Sequence, residues 1–73
     1  MKLFELERCK LGQSVNVRYE SAGGTEKIHT TGTLKDIGKE IYETAGGKIK
    51  YVWVSVWLPM DRKTSVFPSW CIH

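Results

Sequence analysis

The stretch from residue 48 to residue 58 reads KIKYVWVSVWL, and it has the composition of a β-strand with two apolar faces. Side chains alternate between the two faces of a strand. One face carries Val52, Val54, Val56 and Leu58. The other carries Ile49, Tyr51, Trp53, Ser55 and Trp57. Because a small single sheet needs only one apolar face for its core, the second face must be covered by another part of the chain, by a second subunit or by a ligand.

Length and charge narrow the classes of protein to consider. The chain has 73 residues, so we expect residues 1–73 to form a single domain with one small core. An enzyme cleft with its supporting side chains is hard to fit into that volume. Lys and Arg number 11 and Asp and Glu number 8, and the resulting formal net charge of +3 is compatible with an anionic partner.

The pattern near the N-terminus predicts a cytoplasmic protein. Glu5 and Glu7 lie where a secretory signal needs an unbroken apolar segment. No run approaches the roughly 18 apolar residues of a membrane-spanning helix, so we expect no membrane partner. In the cytoplasm Cys9 and Cys71 are expected to be reduced, and a disulfide between them is the alternative if the chain meets an oxidant.

The rest of the sequence predicts an all-β chain. Residues 2–11 are expected to form a short helical or irregular lead-in. Strands are predicted over residues 14–20, 26–37, 40–44, 48–58 and 64–67, with a single helical turn over residues 69–73. Gly32 predicts a bulge or a sharp bend in the second strand, and the pair Gly46-Gly47 predicts a hairpin turn. The predicted core comprises Val15, Val17, Leu34, Val52, Val54 and Val56.

Two segments carry a family resemblance. Residues 11–17, LGQSVNV, place a glycine turn before the first strand, and residues 67–72, FPSWCI, place a helical turn after the last predicted strand. Over residues 11–73 the chain resembles the SH3-like (Src-homology-3-like) and Sm-like small barrels. The resemblance implies a five-stranded antiparallel barrel, whose closure would remove exposed strand edges.

The resemblance implies an architecture and no particular ligand. The alanine-leucine-tyrosine-aspartate-tyrosine segment and the acidic first loop of SH3 domains are missing, so a proline-peptide groove does not carry over. Gly32-Thr33-Leu34, followed by Asp36, is similar to the Sm pattern. The asparagine that reads uridine in Sm proteins has no counterpart here.

Metal, cofactor and catalytic signals are weak. Structural zinc sites use two pairs of closely spaced ligands, and among the Cys and His residues only Cys71 and His73 form such a pair. Cys71 lies between Trp70 and Ile72, where we expect it to pack as a small apolar residue. The acidic residues are scattered, and the paired glycines are followed by no phosphate-binding Lys-Ser. We therefore expect no metal, no cofactor and no enzymatic activity.

The aromatic residues of the 48–58 strand are the predicted binding surface. Tyr51, Trp53 and Trp57 are flanked by Lys48 and Lys50 at one end and by Arg62 and Lys63 at the other. Aromatic rings interleaved with positive charge are typical of surfaces that stack single-stranded bases. This pattern favours a non-enzymatic nucleic-acid-binding module.

Three alternatives use the same side chains. Trp and Tyr are also the residues of protein–protein hot spots, so the surface could belong to a small adaptor or inhibitor of the kind that phages and plasmids encode. It could equally pair with a second copy in a homodimer. In the plainest interpretation the lead-in residues Leu3, Phe4, Leu6 and Leu11 cover the aromatic face, and Trp53 and Trp57 belong to the core.

Overall fold

The computed structural model describes residues 2–73 and confirms a mostly β chain that begins with a short helix. The elements are α1 (Leu3–Leu6), β1 (Ser14–Glu20), β2 (Lys27–Ile37), β3 (Tyr42–Glu43), β4 (Lys50–Tyr51), β5 (Trp53–Leu58), β6 (Lys63–Pro68) and a 3-10 helix (Ser69–Cys71). Over residues 2–73 no helix has the length and apolar character needed to cross a membrane.

Four antiparallel strands form the main sheet, in the order β1-β2-β5-β6. Burial alternates along β1 and β5, which is the pattern expected when one face of a sheet is packed and the other is exposed. The six predicted core residues are all buried, and five more join them in one cluster: Leu6, Leu58, Phe67, Cys71 and Ile72.

Over residues 2–73 the sheet does not close into a barrel, so the predicted closure is corrected. β3 and β4 form a separate two-stranded sheet. The C-terminal segment meets β1 through one isolated bridge between Val17 and Ile72, not through a fifth strand of the sheet. In that bridge the His73 amide donates to the Asn16 carbonyl at 2.8 Å.

The predicted strand over residues 48–58 is interrupted at Val52, and hydrogen bonds explain why. The Val52 amide donates to the Ser69 hydroxyl at 3.3 Å, and the Val52 carbonyl accepts from the Ser69 amide at 2.9 Å. These two bonds to Ser69 satisfy the backbone N–H and C=O groups of Val52. The chain therefore leaves the two-stranded sheet and enters the four-stranded sheet at Val52. Lys50 and Tyr51 pair with β3, whereas the residues from Trp53 onward pair with β2 and β6.

Gly32 allows β2 and β5 to approach each other closely. A Cβ atom at this position would lie 2.6 Å from the Trp57 carbonyl oxygen and would also overlap the Val56 side chain. The bulge in β2 falls later, between Leu34 and Asp36. The expected irregularity therefore has two parts, a close approach at Gly32 and a bulge near residue 35.

Helix α1 packs against the hydrophobic core. It does not cover the face of residues 48–58 that carries Tyr51, Trp53 and Trp57. Leu6 is 1% exposed and belongs to the core, and Leu3 packs partly against the same cluster. Phe4 and Leu11 remain exposed. Trp53 is exposed too. The plainest interpretation, in which residues 2–11 cover Trp53 and make it part of the core, is therefore wrong for this residue.

An exposed aromatic patch as the candidate binding site

Tyr51 is the centre of a cluster of four aromatic side chains. Its ring centroid lies 4.6 Å from that of Trp70 and 5.7 Å from that of Trp53, both in edge-to-face geometry. The Tyr42 ring lies 5.8 Å from Tyr51 at an interplanar angle of 30°. Edge-to-face contacts stabilise such a cluster beyond the area it buries. We call Tyr42, Tyr51, Trp53 and Trp70 the aromatic patch.

The β3–β4 hairpin positions the two tyrosines. Tyr42 and Tyr51 are direct cross-strand partners. The turn between them is closed by the Gly47 amide, which donates to the Thr44 carbonyl at 2.8 Å. Gly47 has a φ of 66°, a conformation that glycine adopts without steric cost. The turn glycines therefore fix the register that places one tyrosine beside the other.

The two tryptophans are held from the main sheet. Trp53 begins β5 opposite Pro68, and its carbonyl accepts from the Gly38 amide at 2.7 Å. Trp70 lies in the 3-10 helix, whose first residue, Ser69, is tied to Val52 by the two hydrogen bonds described above. Backbone bonds on both sides thus fix the direction in which each indole leaves the surface.

The patch remains open in the isolated chain. Trp53 and Trp70 are each 42% exposed, and Tyr42 is 40% exposed. Ile49, which borders a groove together with Trp70, is more exposed still, at 49%. A contiguous group of large apolar side chains on a small domain marks an interaction surface more often than it marks a neutral one.

Two shallow grooves border the patch. One has a volume of about 430 Å³ and lies between α1 and Trp70, with Ile49 and Lys50 in its wall. The other has a volume of about 280 Å³ and lies between Trp53 and Tyr42, along residues 38–40. The exposed rings therefore stand beside concave surface that a protruding group of a partner could enter.

The rim of the patch carries both signs of charge. The Tyr42 hydroxyl donates to the Glu40 carboxylate at 2.7 Å, and this hydrogen bond is the main reason why the pKa of Tyr42 is raised. The Lys50 ammonium lies 3.9 Å from the Glu43 carboxylate. One carboxylate of the rim is thus hydrogen-bonded to a ring of the patch, and another lies beside the Lys50 ammonium.

The predicted site residues separate into two groups in the structure. Tyr51, Trp53 and Lys50 lie at the aromatic patch, and Lys48 lies in the adjacent turn. The other residues lie at the far end of β5: Trp57, Arg62 and Lys63.

About four strand residues, or roughly 13 Å, separate Trp53 from Trp57. Trp57 is only partly exposed, and its cross-strand partners are Thr33 and Thr64. The basic residues of the β5–β6 turn therefore do not flank the most exposed rings.

Sequence reasoning missed two members of the patch. Tyr42 could have been found from the predicted hairpin, since a turn centred on residues 45–48 places residue 42 opposite residue 51. Trp70 gave no comparable signal, because its position depends on the contact between the 3-10 helix and Val52. Only the assembled fold brings Trp70 to Tyr51.

The described chain offers little catalytic or metal-binding chemistry. Within residues 2–73, His, Cys, Asp and Glu side chains form no group of three or more that could hold a metal ion. Cys71 is buried, and its burial raises the pKa of the thiol. A thiol held in its protonated form is a poor nucleophile.

Comparison of the chain with protein-family models, with curated proteins and with solved structures gave no match.

Proposed function

We propose that this chain is a small non-enzymatic binding module that docks another protein on its aromatic patch. The observation that supports it is the cluster of exposed rings around Tyr51 within a rim of mixed charge. Protein–protein interfaces concentrate their binding energy in Trp and Tyr side chains and surround them with polar groups. The grooves on either side of the rings supply concave surface that a protruding side chain of the partner protein can enter.

The rim charges favour a protein over a nucleic acid at this patch. A stacking surface for single-stranded nucleic acid combines its rings with a positive groove that follows the phosphates. Here Glu40 is hydrogen-bonded to one ring of the patch, and Glu43 offsets the charge of Lys50. Carboxylates at these positions repel phosphate groups but can pair with Lys or Arg side chains of a protein.

Single-stranded nucleic acid is the second candidate, and a different surface supports it. Trp57 lies between two threonines on the exposed face of the main sheet, and Arg62 lies in the adjoining β5–β6 turn. Lys63 is the cross-strand partner of the buried Leu58, so it leaves its strand on the opposite face. This end of β5 carries one partly exposed ring and, in the turn, Arg62, which forms no ion pair with a carboxylate among residues 2–73. It is the part of the predicted surface that keeps the composition of a phosphate-tracking site.

We also infer a distant relation to the SH3-like barrels. Supporting features are the order β1-β2-β5-β6, the 3-10 helix after β6 and the bridge from Ile72 back to β1. This chain would be an open variant, because its C-terminal segment contributes one bridge where a closed barrel has a fifth strand. The inference concerns architecture, and the proposed partner depends on the patch alone.

Selection from a random peptide library tests the proposed function with a matched pair of variants. Trp53→Ala removes an exposed ring of the patch. Trp57→Ala removes the second tryptophan of β5, which lies at the far end of the strand and outside the patch. Peptides enriched on the wild-type protein should lose at least about tenfold in affinity with Trp53→Ala, as expected for a hot-spot tryptophan. The same peptides should bind Trp57→Ala with nearly unchanged affinity.

The result that would overturn the proposal is equally specific. If the enriched peptides bind both variants alike, or if the library yields no peptide that binds saturably, the patch does not dock proteins. Oligothymidylate serves as the nucleic-acid probe. Binding that weakens with Trp57→Ala and with added salt, and not with Trp53→Ala, would establish the second candidate instead. Sedimentation of the free protein separates a second copy from a foreign partner, because a homodimer would dissociate with Trp53→Lys.

A further inference from the structure

A second group of side chains lies on the exposed face of β1 and β2. Arg18 on β1 and His29 on β2 are direct cross-strand partners. His73 lies at the other edge of β1, where its backbone forms two hydrogen bonds with Asn16. All three side chains are exposed, so the pairing of three chain segments brings a guanidinium and two imidazoles to one surface.

These side chains border a shallow groove of about 230 Å³. Its wall also contains Asn16 and Thr31, which are cross-strand partners one row further along the sheet. The Thr31 hydroxyl donates to the Asn16 amide oxygen at 3.3 Å. That bond occupies the acceptor of the amide and leaves its NH₂ group as a donor. The groove therefore offers donors from Arg18 and Asn16, beside the hydroxyls of two threonines and the imidazoles of His29 and His73.

Arg18 is the side chain with a formal charge among the described residues that line this groove, and Glu20 and Lys27 border a neighbouring groove together with Arg18 and His29. Within residues 2–73 no carboxylate lies within ion-pair distance of Arg18. The nearest acidic residue on the same strand face is Glu20, and it stands opposite Lys27. The pKa of His73 is lowered, first by burial and then by positive neighbours that include Arg18 and His29. An anion in the groove would relieve this repulsion.

We propose that Arg18, His29 and His73 form a binding site for a phosphoryl oxyanion. A guanidinium offers two parallel N–H donors to the oxygens of a phosphate group, and imidazole N–H groups add donors from the sides. Two sources could supply this group, namely a small free phosphate compound or the backbone of a polynucleotide. None of the four rings of the aromatic patch lines this groove. Arg18 and His29 also border a second groove together with Trp70, so the two surfaces are neighbours.

Titration with inorganic phosphate, followed by the NMR signals of the two imidazoles and of Arg18, tests the site. We expect saturable shifts at His29 and His73 in the wild-type protein. Arg18→Gln should weaken the binding by about tenfold or more, because it removes the charge and the paired donors. Arg8→Gln is the matched control, since Arg8 is exposed just after α1 and borders neither surface, and it should leave phosphate affinity unchanged. Trp53→Ala should also leave it unchanged.

A parallel titration with oligothymidylate identifies the source of the phosphate. Tighter binding than that of inorganic phosphate, lost with Arg18→Gln, would support the site and assign it to a polynucleotide backbone. Binding of inorganic phosphate with no gain from the oligonucleotide would support the site and assign it to a small ligand. Equal, non-saturating shifts in the wild-type protein and in the folded Arg18→Gln variant would overturn the proposal.

Discussion

Replacement of Gly32 by alanine should be among the most damaging small substitutions in this chain. The added Cβ would lie 2.6 Å from the Trp57 carbonyl oxygen, which is a backbone atom of β5 and cannot rotate away. Overpacking of this kind typically costs about 1–3 kcal/mol, and a backbone collision places Gly32→Ala at the upper end. The lower entropy of the unfolded variant returns about 0.4–1 kcal/mol. We therefore expect a net loss of roughly 2–3 kcal/mol.

Such a loss is large for a domain of this size. A chain of 73 residues has a free energy of unfolding of roughly 4–11 kcal/mol, so the variant should melt about 10–20 °C below the wild-type protein. Urea unfolding followed by tryptophan fluorescence measures the change. Gly23→Ala is the matched control, because its Cβ would meet only Thr25 at ordinary contact distances. If the two variants differ by less than about 0.5 kcal/mol, β2 and β5 do not approach as described.

Further predictions concern the residues that hold the patch and the core. Ser69→Ala removes the hydroxyl that accepts from the Val52 amide and should cost about 1–3 kcal/mol by urea unfolding, whereas the exposed Ser14→Ala should be nearly neutral. Equal stability of the two variants would contradict the hydrogen bond. Cys71 should react slowly with iodoacetamide in the folded protein, because burial shields the thiol and raises its pKa, and quickly in urea. A reaction rate that is unchanged by urea would contradict its burial.

The core could be predicted well from the sequence because the pattern that marks buried residues lies within each strand. Alternation of Val15 and Val17, and of Val54 and Val56, marks the buried face without reference to the rest of the chain. The first strand was predicted with its observed bounds for the same reason. The lead-in over residues 2–11, predicted as helical or irregular, contains a four-residue helix whose buried residue is Leu6.

The departures arise where one part of the chain acts on a distant part. Nothing local to Val52 shows that Ser69, 17 residues later, will take its backbone hydrogen bonds and end the strand. The same contact brings Trp70 beside Tyr51 and divides the predicted aromatic surface. Closure of a barrel likewise depended on how far the C-terminal segment pairs with β1, and it pairs at a single bridge.

The three tryptophans provide the most direct test of the docking claim, because each reports on a different part of the surface. The indole N–H signals of Trp53, Trp57 and Trp70 can be followed separately by NMR while a library-selected peptide is added. We predict that the signals of Trp53 and Trp70 shift saturably and that the signal of Trp57 stays in place. A shift of the Trp57 signal with no change at Trp53 and Trp70 would contradict the claim that the aromatic patch is the docking surface.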